Sequence, residues 1–398
     1  MLGIAAAAAG LVLFLPKLWD VLADPLIGLA SDRTTSRWGR RQPFLVAGAI
    51  VSALAFYALF NVPLPDSAGG RAWVMGLVFF VGMSGYAIFA VPYAAMPSEM
   101  SADPNERTTI LSLRMVGVLL GTIAGAVAAP MIVAAGGSGR SGHALMGSVL
   151  AVLIGASMLL TALGAQRLPT RPIAAAPHVP LREQLRLALA NRPYFVLLAG
   201  YVLVLVGNGA MAAAAPYFAV QVLKRQPDAV GLIFASLLVA AMVAMPLWVL
   251  LARRGGKATM AVAAALVFGA ALAALAVVDQ HSPTLLLLGL CALAGVGFAG
   301  TQLLPFSLLT DVIEADTQRS GLRREGSFTG LFIAGEKAGL AAGPMVTAAV
   351  LAFSGFVSST DGAVVQPASA ITGVAWAFTL VPAAFVLLGA AVLARLRR

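Results

Sequence analysis

Apolar residues do not alternate with polar ones along this chain; they gather into long runs separated by short polar breaks. About eleven runs reach the ~20 residues that a helix needs to cross a bilayer. They cover 3–30, 43–63, 73–97, 109–134, 144–165, 194–222, 230–252, 258–279, 284–310, 327–354 and 368–394. None carries the period-two alternation of a membrane barrel, so they predict spanning helices rather than strands. The longest polar connection, 166–193, holds Pro169, Pro172, Pro177 and Pro180, and then Leu181 to Leu189. Leu181, Leu185 and Leu189 share one helical face, with Arg182 and Arg186 on a neighbouring one. That pattern predicts a short amphipathic helix on the bilayer surface, a hinge between two bundles; a solvated linker is the alternative. The chain therefore divides into an N-terminal bundle of five spans (1–165), a linker (166–193) and a C-terminal bundle of six (194–398).

The two halves echo one another. Pro92-Tyr93-Ala94-Ala95-Met96-Pro97-Ser98-Glu99, followed by Arg107, resembles Pro305-Phe306-Ser307-Leu308-Leu309-Thr310-Asp311-Val312, followed by Arg319. Arg253-Arg254-Gly255-Gly256-Lys257 likewise echoes Gly39-Arg40-Arg41. Duplication of about six spans per half is the sequence signature of parallel-repeat carriers. With five spans in the first half, one helix is expected to be missing from its start.

Composition agrees with a membrane protein: 60% of residues are hydrophobic and 11% charged, against ~25% charged in soluble domains. Mean hydropathy is +0.93. A net charge of +10 would suggest nucleic acid in a soluble chain. Here nineteen of the 26 Lys and Arg fall in the loops on the side of 31–42, and four on the opposite side. The positive-inside rule makes the first side cytoplasmic and places the C-terminus inside, in a multi-pass inner (plasma) membrane protein. The lipid bilayer is thus the expected partner, with no nucleic acid and a monomer. Cys291 is the one cysteine, which excludes an intramolecular disulfide. The N-terminus lacks a basic n-region, so no cleaved signal peptide is expected.

Charges inside spans are costly and point to function. Lys17, Asp20 and Asp24 lie within ~60° of one another on a helix. Asp20 and Asp24 are one turn apart, so they are expected to share a proton or a small cation. Oxygen ligands suit Na⁺, and Lys17 would neutralise the pair when the ion leaves; a structural ion triad is the alternative. Pro25 and Gly28 loosen the same helix. Asp32, Arg33, Gly39, Arg40 and Arg41 form a polar cluster that can tie neighbouring helix ends together in one conformation only, or merely set topology. Arg114 and Lys337 are the remaining intramembrane cations, Lys337 being expected to face a cavity. Tyr86, Tyr93, Asn208, Tyr217 and Gln302 either hydrogen-bond a polar ligand or satisfy the bundle. His143, His178 and His281 have no second ligand at metal spacing, and no nucleophile, phosphate-loop or metal constellation stands out. The chain is not expected to be an enzyme or to hold a cofactor or a tightly bound metal.

Several of these residues carry a resemblance. Lys17-x-Trp19-Asp20-x-x-x-Asp24-Pro25-x-x-Gly28 resembles the second helix of the glycoside–pentoside–hexuronide:cation symporters, the melibiose-carrier-like branch of the major facilitator superfamily. Pro92-Tyr93 with Pro97-x-Glu99, Glu106-Arg107, Asp311-x-x-x-x-Asp316, Gly321-x-x-Arg324-Glu325-Gly326 and Lys337-x-Gly339 match the same pattern in order. Ser31 to Arg41 also looks like a loop of plant sucrose carriers. The resemblance implies an all-α fold of two helical bundles and cation-coupled symport of a sugar or glycoside by alternating access. It implies that Asp20 and Asp24 hold the cation, that Lys337 supports that site and that Arg114 lies near the sugar. Lys17, Tyr86 and Tyr93 join the substrate and coupling set; Asp32, Arg33, Gly39, Arg40, Arg41, Glu99, Arg107, Asp311 and Arg324 form the cytoplasmic gate. Ala87, Ala90 and Ala94 stand where the family has polar groups, and an apolar patch there would suit the alternative cargo, a lysolipid or drug.

Overall fold

The computed structural model describes Trp19 and residues 22–63, 65–101, 103–137, 139–166, 181–225, 229–321, 324–357 and 366–397. Among the described residues every regular element is helical. Helix α1 covers 22–33. It is followed by α2 (Gln42–Asn61), α3 (Ala68–Met100), α4 (Pro104–Ala135), α5 (Arg140–Ala165) and the short α6 (Leu181–Ala190). The remainder are α7 (Arg192–Tyr217), α8 (Ala229–Gly255), α9 (Lys257–Ala274), α10 (Thr284–Ser320), α11 (Glu325–Phe353), α12 (Ala368–Phe378) and α13 (Leu380–Leu393).

Among the described residues, eight helical stretches are long and apolar enough to cross a membrane, each overlying a predicted span. The predicted spans 109–134 and 327–354 are α4 and α11, helices of 32 and 29 residues with charges along them. Most of the predicted span 3–30 lies outside the described residues. The segment expected as one span over 368–394 is two helices that break at Thr379, where φ is −116° and ψ −79°. Pro382 explains the break, because it lacks the N–H that would bond to the Phe378 carbonyl. Pro216 acts similarly near the end of α7, whose last turn widens over Phe218–Val222 with Leu223 N–H donating to the Phe218 carbonyl at 3.0 Å.

The chain forms two compact units. One comprises Met1–Ala102, Leu120–Ala188 and Ile313–Lys337; the other comprises Asp103–Leu119, Leu189–Val312 and Ala338–Arg398. Each unit thus borrows a short stretch from the other sequence half. In the first, α2 packs on α3 and α5 around Leu45, Ala49, Phe89, Met96, Ala162 and Ala165. Gly48 and Gly85 allow α2 and α3 to approach backbone to backbone, as membrane helices do where small residues meet. In the second, Phe218 stacks on Phe378 with ring centroids 4.4 Å apart. There Trp248 Nε1 donates to the Val296 carbonyl at 2.7 Å, which satisfies the indole inside the bundle.

Candidate functional site

Asp24 is fully buried on α1. Its carboxylate meets Lys337 of α11, with Nζ 3.1 Å from Oδ1 and 3.0 Å from Oδ2. The two helices can lie this close because glycines line their contact. A Cβ on Gly28 would overlap the Gly326 carbonyl, and one on Gly330 would overlap the Asp24 carbonyl. Trp19, earlier on the same stretch of chain, donates from Nε1 to Ser84 Oγ at 3.1 Å and tilts against Phe80. Lys17 and Asp20 lie outside the described residues. A buried carboxylate paired with an ammonium is a site where a small cation can replace the ammonium without leaving a charge uncompensated.

One turn beyond Gly28 begins a second polar cluster in the same unit. Gly39, at φ +94°, turns the loop after α1 and hands the chain to Arg40 and Arg41. Arg41 is buried and pairs with Asp32 at 2.7 Å; its Nε donates to Glu99 of α3 at 2.8 Å. It also donates to Ser31 Oγ. Arg40 pairs with Glu99 at 2.8 Å and with Glu325, the first residue of α11, at 3.0 Å. Burial alone would depress the Arg41 guanidinium, but Glu99, Asp32 and Glu325 outweigh it and hold its pKa above the ordinary arginine value. Asp32 does one thing more: Oδ1 accepts from Gly326 N–H and Oδ2 from Ser327 N–H, both at 2.9 Å. A carboxylate at the end of α1 thereby caps the N-terminus of α11, nearly three hundred residues on in the chain. Burial pushes the Asp32 carboxyl above the usual carboxylate range, while Arg41 beside it pulls the other way. Arg324 turns instead to Asp316, at 2.7 Å, and lies over the Phe328 ring. Arg33 is exposed at the end of α1.

The second unit repeats the device with other residues. Arg107, buried at the start of α4, donates to the Thr310 carbonyl at 3.0 Å and pairs with Asp311 at 3.4 Å. Lys257, at the start of α9, pairs with the same Asp311 at 2.7 Å. Thr108 and Ser307 hydroxyls lie 2.7 Å apart beside this pair. Further along α4, the Arg114 guanidinium sits 5.0 Å from the Phe306 ring centroid, a cation–π distance. In each unit, therefore, a basic residue at or beside a short helix–helix loop meets an acid on a neighbouring helix. In each, a charged residue from the other sequence half joins them, Glu325 in the first and Arg107 in the second.

The sequence pattern named Asp32, Arg40, Arg41, Glu99, Arg107 and Asp311, but not Lys257, Asp316 or Glu325 as ion-pair partners. The Arg253–Lys257 echo of Gly39–Arg41 was the one signal that could have found Lys257. Tyr93 packs beside Phe89, with ring centroids 5.5 Å apart, against the core of the first unit. Tyr86 is about half exposed on α3. Tyr217 meets Phe356 edge-on. Asn208 is buried on α7.

Residues 1–397 match the family described as MFS/sugar transport protein. An uncharacterized symporter of Synechocystis is 27% identical, covering 98% of this chain and 87% of its own length. A glucuronide carrier protein homolog of Escherichia coli is 26% identical, covering 97% of this chain and 83% of its own. Among solved structures, the E. coli fucose:proton symporter aligns at a TM-score of 0.70 and 14% identity, over 96% of this chain and 91% of that one.

Proposed function

The chain belongs to the MFS/sugar transport protein family, and on that premise we propose that it is a secondary carrier coupling a cation to a sugar or glycoside by alternating access. It is a multi-pass membrane protein and not an enzyme. The observation that carries the coupling is the buried Asp24–Lys337 pair. In the empty carrier Lys337 stands in for the coupling ion. When Na⁺ or H⁺ binds at Asp24, with Asp20 as the second carboxylate and Lys17 as its neighbour, Lys337 is released toward the substrate. Ion and sugar then raise each other's affinity by the same factor. The Asp32–Arg41–Glu99–Glu325 and Arg107–Asp311–Lys257 clusters act as gates that hold one arrangement and part in the other. Arg324, Arg33 and Gly39 shape the loops of those gates, which this reading places on the cytoplasmic side together with the C-terminus. Residues 1–165 and 194–398 rock as bundles about the 166–193 linker. Arg114, Tyr86 and Tyr93 face the sugar path. One chain suffices for the cycle.

A carrier of an amphipathic ligand would use the apolar patch of Ala87, Ala90 and Ala94 as a contact surface. Those side chains are 0%, 8% and 3% exposed, so they are packing positions of α3 rather than a surface for cargo. Sugar carriage is the better reading.

The test is uptake of a radiolabelled glycoside, methyl glucuronide first, into proteoliposomes under an imposed Na⁺ gradient or an imposed pH gradient. Uptake driven by one gradient and abolished in Asp24→Asn supports coupling at Asp24. Gradient-driven uptake that survives Asp24→Asn sinks it.

A further inference from the structure

Helix α7 is gripped on two sides. A Cβ at Gly207 would press on the Pro382 carbonyl and Val386, and one at Gly209 would overlap the Leu340 carbonyl and Gly343. Residue 208 lies ~100° from both on the helix, on the arc between the two contacts. Tyr201, two turns earlier, shares that face, and its ring meets Phe306 of α10 edge-on, with centroids 6.0 Å apart. Asn208 therefore points toward α10. Successive spans alternate in direction, so α10, three spans after α7, runs opposite to it, and the step from Phe306 back to Gln302 goes the same way as the step from Tyr201 on to Asn208.

Asn208 is 6% exposed, and neither its Nδ2 nor its Oδ1 finds a hydrogen-bond partner. Gln302 Oε1 is buried and has none either. Buried amides in proteins are ordinarily hydrogen-bonded, and leaving these unmet inside a bundle is costly without a ligand. We propose that Asn208 and Gln302 form a hydrogen-bonding subsite for adjacent hydroxyls of a polyhydroxylated ligand, on the Tyr201–Phe306 floor. The inference rests on the sugar-carrier reading and narrows its cargo. Two of the three unmet atoms are acceptors, Asn208 Oδ1 and Gln302 Oε1, and need donors from the ligand. A sugar hydroxyl supplies a donor and then accepts from Asn208 Nδ2. A carboxylate, a phosphate or a quaternary ammonium supplies no donor and would leave both oxygens unmet.

The experiment compares purified wild type with Asn208→Leu and Gln302→Leu. Leucine keeps most of the volume and removes the amide. Thermal unfolding of the empty proteins and binding titrations with methyl glucuronide, methyl xyloside and lysophosphatidylcholine are read together. The subsite requires that both variants unfold at or above the wild-type temperature when empty and bind the sugars at least tenfold more weakly. Empty variants that unfold at lower temperature would show the amides to be structural, satisfied by internal water, and overturn it. Variants that bind sugar as wild type does overturn the subsite while leaving the carrier reading intact. A wild type that binds neither sugar but binds the lysolipid overturns both.

Discussion

At the scale of single residues, the molecule concentrates its risk at Asp24. Taking away either partner of a buried ion pair strands the other charge, which costs about 3–5 kcal/mol. Asp24→Asn and Lys337→Met should therefore each lower the unfolding temperature markedly. The double variant, with neither charge left, should recover most of the loss. Calorimetry of the four proteins in detergent completes the cycle, and purely additive losses would mean the pair is not coupled. Asp32 makes a different statement, about pH. Its carboxyl is raised above the ordinary value by burial, so the packed arrangement binds its proton more tightly than the unfolded chain does. That contribution is present at low pH and is lost as pH rises from ~3.9, the ordinary carboxylate value, through the raised one. Asp32→Asn removes the titration, and the pH dependence of unfolding on that acid limb should flatten.

At the scale of elements, the contact of α1 with α11 needs both glycine and a borrowed cap. Gly326→Ala would place a methyl group against the Gly28 carbonyl and the Asp32 carboxylate, forcing the helices apart and freeing two N–H groups. Spin labels on α1 and α11 should then report longer distances than in the wild type; unchanged distances would show that the crossing tolerates a side chain. Helices were legible from hydropathy because a spanning helix must be apolar for its whole length. Their ends were less so. Helix α10 runs ten residues past the predicted limit of 310, to Ser320, because a polar sequence outside the bilayer can stay helical until Gly321, at φ +67°, stops it. The break at Thr379 arises from Pro382, which a hydropathy window counts as merely one more tolerated residue.

At the scale of the whole molecule, the repeat found in the sequence reappears as chemistry in both units. Glu325 and Lys257 each supply one partner to a cluster that shares no residue with the other. Glu325→Gln leaves Arg40 with Glu99, and Lys257→Met leaves Asp311 with Arg107. Each variant should weaken the arrangement by about 1–3 kcal/mol. The two effects should add to within about 0.5 kcal/mol in thermal unfolding, and a large departure would mean that the clusters are energetically one. The bundle architecture and most charged residues were readable in the chain; the pairings were not. Arg40 meets Glu325 across 285 positions, and nothing in the local pattern of either encodes that distance. The Asn208 and Gln302 amides were visible as polar residues in apolar spans, but only packing distinguishes an unmet amide from a satisfied one.

On the proposed coupling at Asp24, the contact with Lys337 also decides which half of the cycle feels the membrane voltage. With the ammonium seated on the carboxylate the pair is electrically neutral, so the return of the empty carrier moves no charge through that site. A monovalent ion adds one positive charge, and a potential of 100 mV then biases the loaded step by up to about 2.3 kcal/mol. A potassium diffusion potential, negative inside, should therefore speed net glycoside uptake, whereas exchange of labelled for unlabelled glycoside, in which every inward loaded crossing is matched by an outward one and no net charge moves, should show the smaller response. The same lysine that keeps the resting protein stable would thus also make its return stroke indifferent to voltage.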